Sequence, residues 1–213
     1  AAWRDKDAFY FSHDGATERW CDDISRLGLS GPHNHLNMLC AVGMAHVRGV
    51  PFDTIVAALT DFVGLPHRFE SLGEVAGGRY IDDSKATNAH AAMAGLAGLT
   101  EPFVAIVGGV DKGLELTSFC KLLAERAAAV ISIGELRTRL ARELGEAGME
   151  PARLQEAEGM REAVHKAHEA AGSGGIVVLS PACSSFDMFK SYAHRGEVFQ
   201  QVVRELVLEE GGE

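Results

Sequence analysis

From about residue 65 onward the chain alternates between short apolar runs and longer stretches with apolar residues at helical spacing. The pattern predicts strands over 79–82, 103–107, 129–133 and 175–179, and helices over 88–99, 115–128, 135–147, 157–171 and 194–209. Strands separated by helical segments of this length imply an α/β fold, a mostly parallel sheet with helices on both faces. Val104-Ala105-Ile106-Val107 and Ile176-Val177-Val178-Leu179 are continuous apolar runs, as expected of strands buried on both sides. The first part of the chain has a different rhythm. Ala8-Phe9-Tyr10-Phe11-Ser12 alternates and meets the turn His13-Asp14-Gly15, so residues 1 to about 30 resemble the last strands of a sheet whose earlier part is missing. Leu36–Val47 follows as an amphipathic or fully buried helix, and Phe52–Phe62 as a second one with Pro51 near its start. Gly64-Leu65-Pro66 breaks that helix and sets a domain boundary, giving 1–64 and 65–213. Ala1-Ala2-Trp3-Arg4 has no initiator Met and runs straight into strand-like sequence, which suggests a fragment.

Three of the predicted strands end in polar loops. Asp82-Asp83-Ser84-Lys85-Ala86-Thr87-Asn88 follows the strand at 79–82, Gly108-Gly109-Val110-Asp111-Lys112-Gly113 follows 103–107, and Ser180-Pro181-Ala182-Cys183-Ser184-Ser185-Phe186 follows 175–179. In an open α/β sheet the ends of the strands are where ligands bind, so three such loops at one edge predict one site. Lys85 and Thr87 precede a helix whose free N–H groups favour an anion, although Thr87 or Asn88 could simply cap that helix and Lys85 be solvated. Of Asp82 and Asp83, one could accept from a ribose hydroxyl or orient a lysine, and the other cap a turn. Gly108-Gly109 allows close approach of backbone to a ligand, or merely a tight turn with Lys112 exposed. Ser184 and Ser185 lack a Gly-x-Ser-x-Gly context, so hydroxyls that bind a carboxylate fit better than a nucleophile. Asn34 and Asn37, three residues apart at a helix start, could cap it or read a purine edge. Arg68 in Pro66-His67-Arg68-Phe69-Glu70 is a natural fork for phosphate oxygens or a partner for Glu70.

Composition narrows the partners. Of the 213 residues 46% are hydrophobic and 23% charged, enough for a substantial core. A formal charge of −10 argues against a nucleic-acid surface but not against an anionic small ligand held by local cations and N–H groups. The four cysteines, Cys21, Cys40, Cys120 and Cys183, form no Cys-x-x-Cys pair. Cys40 and Cys120 lie in apolar helical runs and are expected to be buried thiols, which fits a reducing cytoplasm. No metal site is expected, because His33 and His35 have no acidic or thiol partner at ligand spacing. No apolar run nears the roughly 18 residues of a membrane span. Neither Gly-x-x-x-x-Gly-Lys-[Ser/Thr] nor Gly-x-Gly-x-x-Gly is present, which disfavours a nicotinamide-dependent oxidoreductase on such a fold.

Taken together, the segments at 31–37, 64–70, 82–88, 108–113 and 180–196 resemble the Mur ligase family. Asp83-Ser84-Lys85-Ala86-Thr87-Asn88 and Ser180-Pro181-Ala182-Cys183-Ser184-Ser185-Phe186-Asp187-Met188-Phe189 carry most of the specificity and point to its D-glutamate-adding branch. The resemblance implies that 1–64 is the C-terminal part of a central α/β ATP-binding domain and 65–213 a Rossmann-like amino-acid-binding domain. It implies ATP-driven addition of D-glutamate to UDP-N-acetylmuramoyl-L-alanine through an acyl phosphate, in cytoplasmic peptidoglycan precursor synthesis. Magnesium would also be needed, with its ligands, like the uridine-binding domain and the phosphate loop, in missing parts of the protein. This chain would then be inactive alone. By position, Asn34 and Asn37 would lie against adenine, Asp83 would hold the ribose, Arg68 would approach the ATP phosphates, and Lys85 would face the phosphate or acyl phosphate. Thr87, Lys112, Ser185 and Phe186 would receive D-glutamate, with Tyr192 packed nearby. The alternative from a different class is a non-catalytic module that binds an amino acid or a nucleotide.

Overall fold

The computed structural model of the chain describes residues 1–13, 15–29 and 31–210. Asp14, in the turn expected after the first strands, and the side chain of His33 lie outside the described residues. The chain divides into two compact units, Ala1–Gly64 and Leu65–Glu213.

In the first unit β1 (Ala2–Asp5), β2 (Ala8–His13) and β3 (Ala16–Cys21) form an antiparallel sheet in that order. Alternation along β2 buries Phe9 and Phe11, and Phe9 stacks on Trp20 of β3 with ring centroids 4.9 Å apart. Two helices cover this face, α1 (Pro32–Val47) and α2 (Phe52–Asp61). α1 begins at Pro32, four residues earlier than the apolar pattern alone suggests, because proline at the first helical position has its φ already set and needs no N–H partner. Met38, Leu39 and Val42 face the core, and His46 stacks on Phe52 at 3.9 Å. The expectation of a buried Cys40 is overturned: the residue is exposed, on the same stripe as Leu36, Met44 and Val47. Spacings of four and three residues put these on one helical face, opposite the one that packs on the strands.

The second unit is an α/β domain with a six-stranded sheet in the order β4-β5-β9-β6-β7-β8. Its strands are β4 (Glu70–Val75), β5 (Gly78–Asp82), β6 (Phe103–Gly108), β7 (Ala127–Ile133), β8 (Leu154–Glu156) and β9 (Ile176–Leu179). All neighbours pair in parallel except β4, which forms an antiparallel hairpin with β5. α3 (Ala89–Leu96), α4 (Thr117–Arg126) and α5 (Arg137–Glu146) pack on one face, α6 (Met160–Ala171) and α7 (Tyr192–Glu210) on the other. β4 and β8 have no counterpart in the apolar pattern. They are edge strands with a polar sequence, Glu70-Ser71-Leu72-Gly73-Glu74-Val75 and Leu154-Gln155-Glu156, whose identity comes from a neighbour rather than from burial. The β4–β5 turn uses Ala76 and Gly77 at φ 47° and 70°, as a tight hairpin of matching twist requires.

β9, near the end of the chain, is inserted between β5 and β6. Its residues Ile176 to Leu179 are at most 2% exposed, and each such side chain contributes roughly 1.5–3 kcal/mol of burial. Helix α7 then packs back across β4 and β5, and Gly196 is the residue that lets it approach. A Cβ there would lie 2.2 Å from Nδ1 of His67 and 2.7 Å from Oδ2 of Asp82. Gly196→Ala is therefore expected to destabilise the chain by about 1–3 kcal/mol in urea unfolding, as overpacking does; an unchanged midpoint would show that the helix shifts freely.

Candidate functional site

Because β5, β9 and β6 are parallel neighbours, the loops that follow them emerge side by side at one edge of the sheet. These are 83–88, 180–191 and 109–116. The sheet order thus brings together the three polar segments that were separate in the sequence.

The floor of this edge is a network around Asp82, whose side chain is fully buried. Its Oδ2 lies 2.7 Å from Nδ1 of His67 and accepts from Gln200 Nε2 at 2.9 Å, and its Oδ1 accepts from the Ser84 N–H at 2.9 Å. Glu70 closes the ring, accepting from the His67 N–H at 2.8 Å and from Gln200 Nε2 at 3.1 Å. No Arg68–Glu70 ion pair is found among the described residues, so that alternative for Arg68 falls; Glu70 serves His67 and Gln200 instead. His67, Glu70 and Asp82 present ligand atoms all within 4.8 Å of one another. Those atoms are already hydrogen-bond partners within this network, and the cluster acts as a positioning device. It holds His67 and Phe69 at φ 61° and 49°, a conformation costing roughly 1–2 kcal/mol per residue. Arg68, between them, is exposed.

Asp83 is also buried but has weaker support. It accepts from the Phe69 N–H at 3.2 Å and from the Ser180 hydroxyl at 3.0 Å. Burial pushes its carboxyl up to about 7, with the neighbouring Asp82 charge adding to the rise; the two hydrogen bonds and Arg68 only partly oppose it.

Next along the turn, Ser84 and Lys85 are held by α7. Arg195 is fully buried and donates to the Ser84 hydroxyl at 3.0 Å and the Ser84 carbonyl at 2.8 Å; Ser84 Oγ in turn donates to the Tyr192 carbonyl at 2.7 Å. Burial lowers the guanidinium to about 10, so it stays charged at neutral pH. Lys85 Nζ lies 3.8 Å above the Tyr192 ring, a cation–π contact worth about 0.5–2 kcal/mol. The structure therefore places Lys85 and Tyr192 together. Thr87 is half-buried, and the helix cap is Asn88, which accepts from the Ala91 N–H at 2.9 Å.

On the other side of β9, the glycine loop lies against the 180–191 loop. The Val110 N–H donates to the Ser184 carbonyl at 3.0 Å, and a Cβ on Gly109 would come within 2.2 Å of that oxygen. Asp111 accepts from the Gly113 N–H at 2.9 Å and pairs with Arg139 at 2.8 Å, which together hold its carboxyl below the usual range. Its charge is thereby directed to Arg139, and Lys112 is left exposed. Ser185 is buried and Phe186 is 70% exposed. Cys183 and Cys120 are buried thiols pushed up to about 12 by desolvation, which makes them poor nucleophiles.

Asn34 and Asn37 belong to the first unit, on the first turns of α1; Asn34 is half-buried and Asn37 exposed. Sequence reasoning gave no role to His67, Ser180, Arg195 or Gln200, and considered Glu70 only as a partner for Arg68. The signal for Arg195 and Gln200 was faint, two polar residues on the buried side of an otherwise ordinary C-terminal helix.

Residues 67–183 match the family described as "Mur ligase, glutamate ligase domain". A UDP-N-acetylmuramoylalanine–D-glutamate ligase of Nitrosospira multiformis is 39% identical over 184 residues, which are 86% of this chain and 38% of that protein. The ligase of the same name from Pelotomaculum thermopropionicum is 41% identical over 180 residues, 84% of this chain and 39% of that protein. The chain thus spans about two fifths of the length of the curated relatives it matches. Among solved structures, Mycobacterium tuberculosis folylpolyglutamate synthase complexed with ADP and AMPPCP shares the fold, with TM-score 0.63 and 20% identity over 81% of this chain and 41% of that one. So does UDP-N-acetylmuramate-alanine ligase of Thermotoga maritima, with TM-score 0.61 and 19% identity over 87% of this chain and 42% of that one.

A carboxyl whose folded pKa exceeds its unfolded one binds its proton more tightly when folded. The stability Asp83 contributes is therefore present below its unfolded value of 3.8 and lost as pH rises to about 7. At ~1.4 kcal/mol per pH unit, ionising it in place costs about 4 kcal/mol. Asp83→Asn, which keeps an acceptor for Phe69, is expected to raise unfolding stability at pH 8 by up to about 4 kcal/mol, with the gain vanishing near pH 4. No gain at pH 8 in urea unfolding would show that Asp83 is not held protonated.

Proposed function

This chain belongs to the Mur ligase family, and we propose that it supplies the C-terminal part of an ATP-dependent ligase that joins D-glutamate to UDP-N-acetylmuramoyl-L-alanine. The reaction forms ADP and phosphate and serves peptidoglycan precursor synthesis in the cytoplasm. The observation that supports this reading is that Lys85, Lys112 and Ser185 lie on the loops that follow three adjacent parallel strands. A dicarboxylate and a phosphate need cations and hydroxyl donors from several directions, and this edge offers them. The names of the relatives supply the substrates, and the absence of a membrane-crossing helix among the described residues is compatible with that setting.

In this proposal residues 1–64 complete the ATP-binding domain and 65–213 bring in the amino acid. Asn34 and Asn37 contact adenine. Asp83 accepts from the ribose, a task that favours its ionised form and so its less stable one. Arg68, thrust outward by the left-handed residues on either side, meets the phosphates. Lys85 stabilises charge on the transferring phosphoryl group, with Tyr192 holding its ammonium in place. Lys112, Thr87, Ser185 and Phe186 receive D-glutamate. An oxygen of the alanyl carboxylate attacks the terminal phosphorus of ATP, and ADP leaves. The glutamate amine then attacks the acyl carbon, loses a proton, and phosphate leaves as the amide forms. Positioning and preorganised charge account for most of such catalysis.

Magnesium, which prefers an all-oxygen octahedron, does not fit the His67, Glu70 and Asp82 cluster, where one ligand is an imidazole and the carboxylates are already engaged. Its ligands belong to the part of the protein this chain does not span, together with the phosphate loop.

The test is phosphate release from ATP in the presence of UDP-N-acetylmuramoyl-L-alanine and D-glutamate, with the chain alone and mixed with a separately made N-terminal portion of such a ligase. Activity in the mixture alone is the expected result. Binding of D-glutamate or ATP with silence in both would favour a non-catalytic binding module. In an active mixture, Lys112→Ala should raise the KM for D-glutamate at least tenfold while leaving the melting temperature within about 2 °C, since surface substitutions seldom exceed ~0.5 kcal/mol. Equal loss of activity and stability would remove Lys112 from the site.

A further inference from the structure

We propose that Asp187 is a positioning residue whose carboxylate clasps the loop after β9 to the turn after β7, and so fixes the spacing between Ser185 and Lys112. The inference rests on the reading of those two residues as receivers of D-glutamate.

Three loops at the edge are joined in a closed triangle. On the first side the Val110 N–H donates to the Ser184 carbonyl at 3.0 Å, linking the glycine loop to the β9 loop. On the second the Leu136 N–H donates to the Gly109 carbonyl at 3.0 Å, linking the glycine loop to the turn after β7. The third is the Glu135 N–H donating to Oδ2 of Asp187 at 3.0 Å, which returns that turn to the β9 loop. Two sides are backbone to backbone; only the third depends on a side chain. The other carboxylate oxygen, Oδ1, is buried and has no hydrogen-bond partner among the described residues, so the bond to Glu135 is the one this carboxylate makes.

The fit around that bond is tight enough to transmit a displacement. Gly134 has φ 74°, and a Cβ there would stand 2.2 Å from Oδ2 of Asp187 and 2.9 Å from Cα of Gly109. Gly109 itself, at φ 143°, leaves no room before Ser184. Asp187 thus abuts Gly134, Gly134 abuts Gly109 and Gly109 abuts Ser184, a chain of close approaches across three loops, with Ser185 and Lys112 at most three residues from it. Opening the third side frees the turn to move away from the β9 loop. A change of about 1 Å in the spacing of two groups that must meet one ligand is costly.

Two variants of the full chain and two readouts test the clasp. In Asp187→Ala, hydrogen exchange at the Glu135 and Leu136 amides should quicken at least tenfold, with the β6 and β9 amides unchanged. In the active mixture described above, its KM for D-glutamate should rise about tenfold with the KM for ATP unaltered. Asp187→Asn, which keeps an acceptor for the Glu135 N–H, should restore both. Unchanged exchange in Asp187→Ala overturns the clasp whether or not the mixture is active. An inert wild-type mixture counts against the ligase reading, and the exchange result alone then decides the clasp. Failure of both variants to fold, or a comparable rise in both KM values, would make Asp187 a structural residue only and overturn the proposal.

Discussion

A carboxylate buried at the end of a parallel strand has to be paired, and much of the second unit follows from how Asp82 meets that requirement. It is fully buried and receives hydrogen bonds from Ser84 and Gln200 and a close contact from His67. Each partner places something else. His67, bent into a left-handed conformation, places Arg68 in the open and Phe69 against Asp83. Ser84 starts the turn that carries Lys85 and Thr87. Gln200 seats α7, and the tightness of that seat makes Gly196 necessary. Removing one partner would leave a charge in a dry place, which is far more costly than a lost surface contact.

The second constraint is topological. Inserting β9 between β5 and β6 makes neighbours of loops that lie about 70 to 100 residues apart along the chain. A parallel sheet puts the C-terminal ends of its strands on one side, so the edge collects polar segments without any of them having to be long. The glycines of this edge then bring backbone against backbone, and the 109–116 and 180–191 loops behave as one surface.

The same edge is where the domain is least relaxed. Asp83 is buried with insufficient compensation, and Arg195 is a buried guanidinium whose Nη1 has no hydrogen-bond partner among the described residues. His67 and Phe69, as well as Ala182, adopt positive φ without being glycine. Such costs are tolerated because the two apolar clusters on either face of the sheet supply a large excess of burial. Strain gathered at strand ends, over a well-packed core, is the distribution expected of a binding edge rather than of a structural rim.

Periodicity and composition were enough for the class of fold and for the three polar loops, because continuous apolar runs and helical spacing are local signals. The resemblance rested instead on contiguous motifs within those loops, Asp83-Ser84-Lys85 and Ser184-Ser185-Phe186 among them. Edge strands β4 and β8 were not legible, as their residues are polar and only pairing defines them. The exposure of Cys40 was not legible either, because apolar residues surround it on both sides in sequence and only packing selects the buried face of α1. What tertiary structure alone decided is which distant groups share a hydrogen bond. Arg195 meets Ser84 across 111 positions, Gln200 meets Asp82 across 118, and Asp187 meets Glu135 across 52. No local pattern encodes such partners; the order of the strands brings them within reach, and burial then requires that each polar group find one.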